Sequence, residues 1–173
     1  ILLFFAFTRF KATEKGRITV DKILLGLPIF GSLLKKSAIA NFTRTLQTMT
    51  SSGVPILDGL GIVAATAGNK VVEKAIMDTR TSISEGKTIA EPLSKSGIFP
   101  PMVTQMISVG ESTGALDTML GKIADFYEDE VNAAVDALTA LIEPFMMVFL
   151  GGTIGFMLLA MYMPIFKIAG AIQ

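Results

Sequence analysis

The sequence predicts an all-α protein: an antiparallel bundle of about six helices, the last of which runs into a C-terminal transmembrane helix. Three observations point there. No segment alternates apolar and polar residues with period two, so no sheet is expected. From Ser37 onward apolar residues recur in steps of three and four, punctuated by Gly, Pro and Asn. Residues 144–166 then run for 23 positions without a charge.

That last run sets the frame. As one helix it would reach about 34 Å, against a bilayer hydrocarbon core of about 30 Å. Its Leu, Ile, Phe and Val side chains favour insertion by roughly 2 to 5 kcal/mol together, and one central charge costing roughly 3 kcal/mol would cancel most of that. A buried helix of a soluble protein is the alternative, but such helices rarely need more than ~14 uniformly apolar residues.

The elements follow in order. Residues 1–8 (ILLFFAFT) would span only about 12 Å, and basic residues follow the apolar run where a signal peptide would have them first. They are expected to be the end of a truncated transmembrane helix. Residues 9–36 form a basic juxtamembrane linker, because Gly26, Pro28 and Gly31 interrupt its apolar stretch. The bundle domain occupies 37–143. Ile39, Phe42, Leu46 and Met49 mark the first helix, stopped by Ser52-Gly53-Val54-Pro55. Ile56, Leu57, Leu60, Val63, Ala64 and Ala67 mark the second, ended by Gly68.

Asn69 is placed to cap a third helix that turns Val71, Val72, Ala75, Ile76 and Ile83 inward and closes at Gly86. Thr88 and Glu91 have capping-box spacing for a short fourth. Pro100 and Pro101 suit the first turn of a fifth, expected to bury Met102, Val103, Met106, Ile107 and Val109. Residues 110–114 (GESTG) read as a turn. The sixth helix starts near Ala115 and carries the longest stripe, from Leu116 through Leu120, Ile123, Tyr127, Val131, Ala134 and Leu138 to Leu141. Continued to residue 164 it would be about 75 Å long, with Pro144 placed to kink it at the membrane boundary. The transmembrane helix takes 144–166, and 167–173 is a short tail on the far side.

Composition excludes several functions. Without Cys or His there is no thiolate or imidazole metal site, no Cys nucleophile and no His base. The net charge of zero hides a split: residues 9–44 carry eight Lys or Arg against Glu14 and Asp21, and residues 111–143 carry eight Asp or Glu against Lys122. No basic stripe interleaves with aromatics, so nucleic acid is not expected as a partner. The basic cluster next to the membrane is expected to put residues 9–143 in the cytoplasm and the tail on the opposite side, which the resemblance given below would make the periplasm.

No candidate chemistry outweighs its plain reading. Glu128, Asp129 and Glu130 are consecutive on a helix and point in different directions, so a solvated surface is the simpler account than an acid–base pair. With Asp125 they form an acidic face that could dock a basic partner or serve solubility. GESTG lacks the GxxxxGK[ST] pattern of a phosphate loop. Glu143 reads as a headgroup-level carboxylate beside Pro144, with an ion path as the alternative. Gly151 and Gly155 form GxxxG, and Gly152 widens a smooth patch that lets membrane helices approach closely; chance in a Gly-rich span is the alternative. No catalytic, metal or cofactor residue is assigned.

The runs SGVPILDGL at 52–60, FPPMVTQMISVGESTGALDTMLGKIADFYEDEV at 99–131, and IEPFMMVFLGG and AMYMPIFK near the end resemble the type II secretion system F family. The ending is most similar to that of type IV pilus inner-membrane platform proteins. The resemblance covers nearly the whole chain from about Asp21. It implies the second cytoplasmic domain and last membrane helix of a non-enzymatic bacterial inner-membrane platform. Such a platform couples a hexameric cytoplasmic assembly or retraction ATPase to pilin insertion or removal. Other inner-membrane assembly proteins, pilins, the lipid bilayer and further copies of the chain are its implied partners. The positions Gly53, Pro55, Pro100, Gly110, Glu111, Gly114, Leu116, Glu128, Glu143 and Pro144 carry over from the family as turns, caps and packing points. The equivalent platform of a type II secretion system is the alternative. A transporter fits less well, because the span offers only Thr153 and glycines at midplane depth.

Overall fold

The computed structural model describes residues 13–28 and 30–170, and among them it contains seven helices and no strand. These are α1 (Glu14–Gly26), α2 (Phe30–Ser51), α3 (Ile56–Thr66), α4 (Lys70–Ser84), α5 (Ala90–Lys95), α6 (Pro101–Thr113) and α7 (Leu116–Gly170). The expectations for 1–8 and for the last three residues of the tail lie outside the described residues. The chain divides into two compact units, one ending at Val131 and one beginning at Asn132.

The first unit is built around one apolar cluster to which α2 to α7 each contribute. Ile39, Phe42 and Leu46 on α2 meet Leu60 and Val63 of α3, Val72 and Ile76 of α4, Leu93 of α5, Val103 and Ile107 of α6, and Leu120 and Ile123 of α7. The Phe42 and Phe99 rings pack edge to face, 5.0 Å between centroids. Short helices can do this because their ends are satisfied locally. Asn69 Oδ1 accepts from the backbone N–H groups of Val71 (2.9 Å) and Val72 (3.2 Å), the predicted cap of α4. Gly53 ends α2 with φ +76°, and the Val54 N–H reaches back to the Met49 carbonyl at 3.0 Å. Pro101 opens α6, where its missing N–H costs nothing.

The structure refines several expectations. The stretch expected as a basic juxtamembrane linker is helical over much of its described length. Residues 14–26 form α1, which buries Val20 and Leu25 and packs on α2 and α4, and α2 begins at Phe30 rather than near Ser37. Pro28 sits between the two helices, so neither has a proline in its interior. Gly31 shows why the turn can be so tight: a Cβ there would collide with the Leu25 carbonyl.

The GESTG run is not a turn as a whole. α6 continues through Gly110, Glu111, Ser112 and Thr113, and Gly114 alone breaks the chain, in the left-handed conformation with φ +73°. Met102 and Val109 are exposed; the buried face of α6 is Val103, Ile107 and Gly110, and Val109 lies about 200° around the helix from Ile107. Thr88 makes no capping box, as described below. The expected continuation of the last helix through Pro144 is present: α7 is one helix there. A proline removes one helical hydrogen bond, and here the flanking turns hold the helix.

In the second unit α7 stands alone. Every residue from 141 to 163 is exposed except Gly155, which is half-buried. Among the described residues this is the one helix long and apolar enough to cross a bilayer.

Candidate functional site

The charged blocks at the two ends of the sequence meet on the first unit. Arg44 projects from α2 between Phe42 and Leu46 of the Ile39–Phe42–Leu46 stripe, and the buried Leu120, Ile123 and Tyr127 side chains set the facing register of α7. Glu128 then faces Arg44 as a two-pronged partner: Nε donates to Oε1 and Nη2 to Oε2, both at 2.7 Å. Nη2 also donates to Asp125 Oδ1 at 2.5 Å, and Nη1 reaches Gln47 Oε1 at 3.3 Å. Lys36, two turns earlier on α2, donates to Glu130 Oε2 at 2.7 Å.

The electrostatic consequences follow from this geometry. Hydrogen bonding to Glu128, then to Asp125, pushes the Arg44 guanidinium up. The same contact holds the Glu128 carboxyl below the usual carboxylate range. Burial raises the Tyr127 phenol, and the negative charge of Glu130 adds to that. Gly121 lies under this seam, where a Cβ would come 3.5 Å from the Gln47 amide.

The acidic face that could dock a partner or serve solubility is in large part ion-paired within the chain. Asp125, Glu128 and Glu130 are paired across to α2, and Asp129 is exposed. Residue order did contain the signal for Arg44 and Lys36, as an opposite-charge excess on the first long stripe, but not which cation met which carboxylate.

Glu111 carries a second tie that sequence reading missed. Both of its carboxylate oxygens accept from the backbone N–H of Ile89, each at 3.0 Å, at the start of α5. This replaces the expected capping box: Ile89 is itself helical at the cap, and Glu91 pairs with Lys95 at 2.6 Å instead of reaching back. A carboxylate at a helix N-terminus is favoured by the dipole as well as by the hydrogen bonds. Gly110, beside it, is a packing point. Its missing Cβ leaves room for Leu116 Cα at 3.0 Å and Met119 Cβ at 3.1 Å across the Gly114 turn.

The remaining predicted positions fall into two groups. Gly53, Pro55, Pro100 and Gly114 sit at helix junctions, and Leu116 opens α7 against the core. Glu143, Pro144, Gly151, Gly152 and Gly155 lie on α7, and a Cβ at any of the three glycines would meet nothing within 4 Å. Among the described residues no group of three or more His, Cys, Asp or Glu could hold a metal ion.

These features define an all-α class: a helical domain tied by surface ion pairs to a helix that is, among the described residues, long and apolar enough to cross a bilayer. The comparisons with known proteins narrow that class. The family model described as type II secretion system (T2SS), protein F, matches residues 42–164. The chain belongs to this family. It is 60% identical over 97% of its length to the type IV pilus assembly protein PilC of Myxococcus xanthus, and 47% identical over its whole length to the PilC of Thermus thermophilus. It is 34% identical over 84% of its length to the type II secretion system protein F of Pseudomonas aeruginosa. The matches cover 40%, 43% and 36% of those relatives, so the chain spans about two-fifths of their length.

Proposed function

We propose that the chain is part of the inner-membrane platform of a type IV pilus assembly machine, a scaffold without catalytic activity of its own. Its first unit faces the cytoplasm and its α7 span lies in the bacterial inner membrane. The observation that carries this reading is the identity gradient, 60% and 47% to two pilus assembly proteins against 34% to a type II secretion protein. The basic stretch at 9–44 supports the cytoplasmic side by the positive-inside tendency.

In this role the domain receives mechanical displacement from a cytoplasmic assembly or retraction ATPase and passes it along α7 toward pilins and other inner-membrane assembly proteins. A homo-oligomer offers such a platform several equivalent inputs. Deleting the gene should abolish surface pili while leaving the secretion of exoproteins intact. Loss of secretion with normal pili would favour the second reading, the equivalent platform of a type II secretion system, which the family model's description supports.

A further inference from the structure

We propose that the corner joining α1 and α2 is a membrane-docking surface, an apolar wedge flanked by lysines that seats in the interfacial layer of an anionic phospholipid bilayer. The proposal rests on the membrane reading of α7 and adds a second, separate point of contact. Ile23, Leu24, Leu27, Phe30 and Leu34 are all exposed, Ile23 at 62% and Phe30 at 57%. They fall within residues 23–34. The other exposed apolar side chains of this unit, such as Ile62, Met102 and Val109, are spread over different helices. Scattered apolar residues are ordinary surface, whereas a cluster marks something that covers it.

The fold holds the cluster together. Phe30 and Leu34 are four residues apart on α2 and share a helix face, while Ile23 lies in the last turn of α1 and Leu27 just beyond its end. Gly31 lets the start of α2 lie directly against the Leu24 and Leu25 carbonyls, which brings these side chains to one corner. Leu25 and Val20 point the other way into the unit, so the corner is anchored from behind.

Charge identifies the occupant. From Lys22 to Arg44 the chain has no acidic residue. Lys22 and Lys35 flank the wedge, are exposed, and make no ion pair among the described residues. The adjacent acid, Asp21, is half-buried and accepts the Lys70 backbone N–H at 2.7 Å, so it is turned toward α4. Apolar side chains beside unpaired cations are the pattern of an interfacial element on an anionic leaflet.

The chain has no Cys, so a single introduced cysteine carries a nitroxide label uniquely. The full chain with Leu27→Cys or Phe30→Cys is reconstituted in nanodiscs containing phosphatidylglycerol or only phosphatidylcholine. Accessibility to oxygen and to a nickel chelate is then compared with Val109→Cys on α6 and Val148→Cys in the span. The corner labels should be oxygen-accessible and shielded from nickel in anionic discs, several-fold more so than Val109. Adding Lys22→Glu and Lys35→Glu should remove that shielding without changing helicity. Nickel access at the corner equal to that at Val109, with Val148 still in lipid, overturns the docking surface alone. Shielding from both reagents means a protein covers the corner, such as a second copy, and overturns it as well. Nickel access at Val148 overturns the membrane reading of α7 and this proposal with it.

Discussion

Individual side chains decide how α5 and α7 are held. Glu111→Ala removes both acceptors from the Ile89 N–H and should destabilise the first unit by about 1 kcal/mol, read from chemical unfolding of the reconstituted chain. Glu111→Gln keeps one acceptor oxygen and should cost less. Gly110→Ala should cost about 1 to 3 kcal/mol in the same measurement, because the new methyl meets the Leu116 backbone at 3.0 Å and a backbone cannot step aside as a flexible side chain can. Gly121→Ala meets only the Gln47 amide at an ordinary 3.5 Å and should be tolerated. The Arg44–Glu128 pair makes a pH prediction. Because the native carboxyl is held below its usual range, its stabilisation is complete above that range and is lost as pH falls through the depressed native value. Both side chains are more than a third exposed, so the pair is worth about 0.2 to 1 kcal/mol, and Arg44→Gln should flatten the acid limb of the stability curve by that amount. The partners of these residues were not readable beforehand. Glu111 and Gly110 were placed at a turn because GESTG contains two glycines, and only the fold shows that one of those glycines packs while the other turns.

Among the elements, α7 is the one whose continuity matters most to the proposed role. It runs 55 residues without a break, through Pro144. Inserting Gly-Gly after Asp129 adds flexible residues just beyond the buried Tyr127, so the core of the first unit is retained while the helix leaving it is interrupted. Piliation in a complementation assay should be lost while protein level is unchanged; normal pili would remove the mechanical role of α7. The helices at 37–51, 56–66, 70–84 and 101–113 were legible because their buried positions step by three and four and their ends carry Asn69, Gly53, Gly68, Gly86 and Pro101. The helix α1 was not. Its stretch between Arg17 and Gly26 is apolar on several sides, so no face announces itself, and of Gly26, Pro28 and Gly31 only Pro28 lies between helices, with the glycines inside the ends of α1 and α2.

For the molecule as a whole, the glycine patch of the span is the proposed packing surface of the transmembrane helix. Gly151, Gly152 and Gly155 have open space around them within this chain. Gly151→Leu with Gly155→Leu should therefore weaken self-association in the bilayer, measured by crosslinking or by energy transfer between labelled copies; an unchanged oligomer would assign the patch to lipid alone. Sequence by itself determined the helical class, the uncharged span and the family, because periodicity, charge exclusion and motif order are one-dimensional properties. The tertiary structure alone decided where the charges went. Arg44 and Glu128 are 84 positions apart, and Glu111 and Ile89 are 22 apart. Such pairs form only when packing of the Leu46, Leu93 and Leu120 core sets which helix faces are opposite each other, and no local pattern encodes that register.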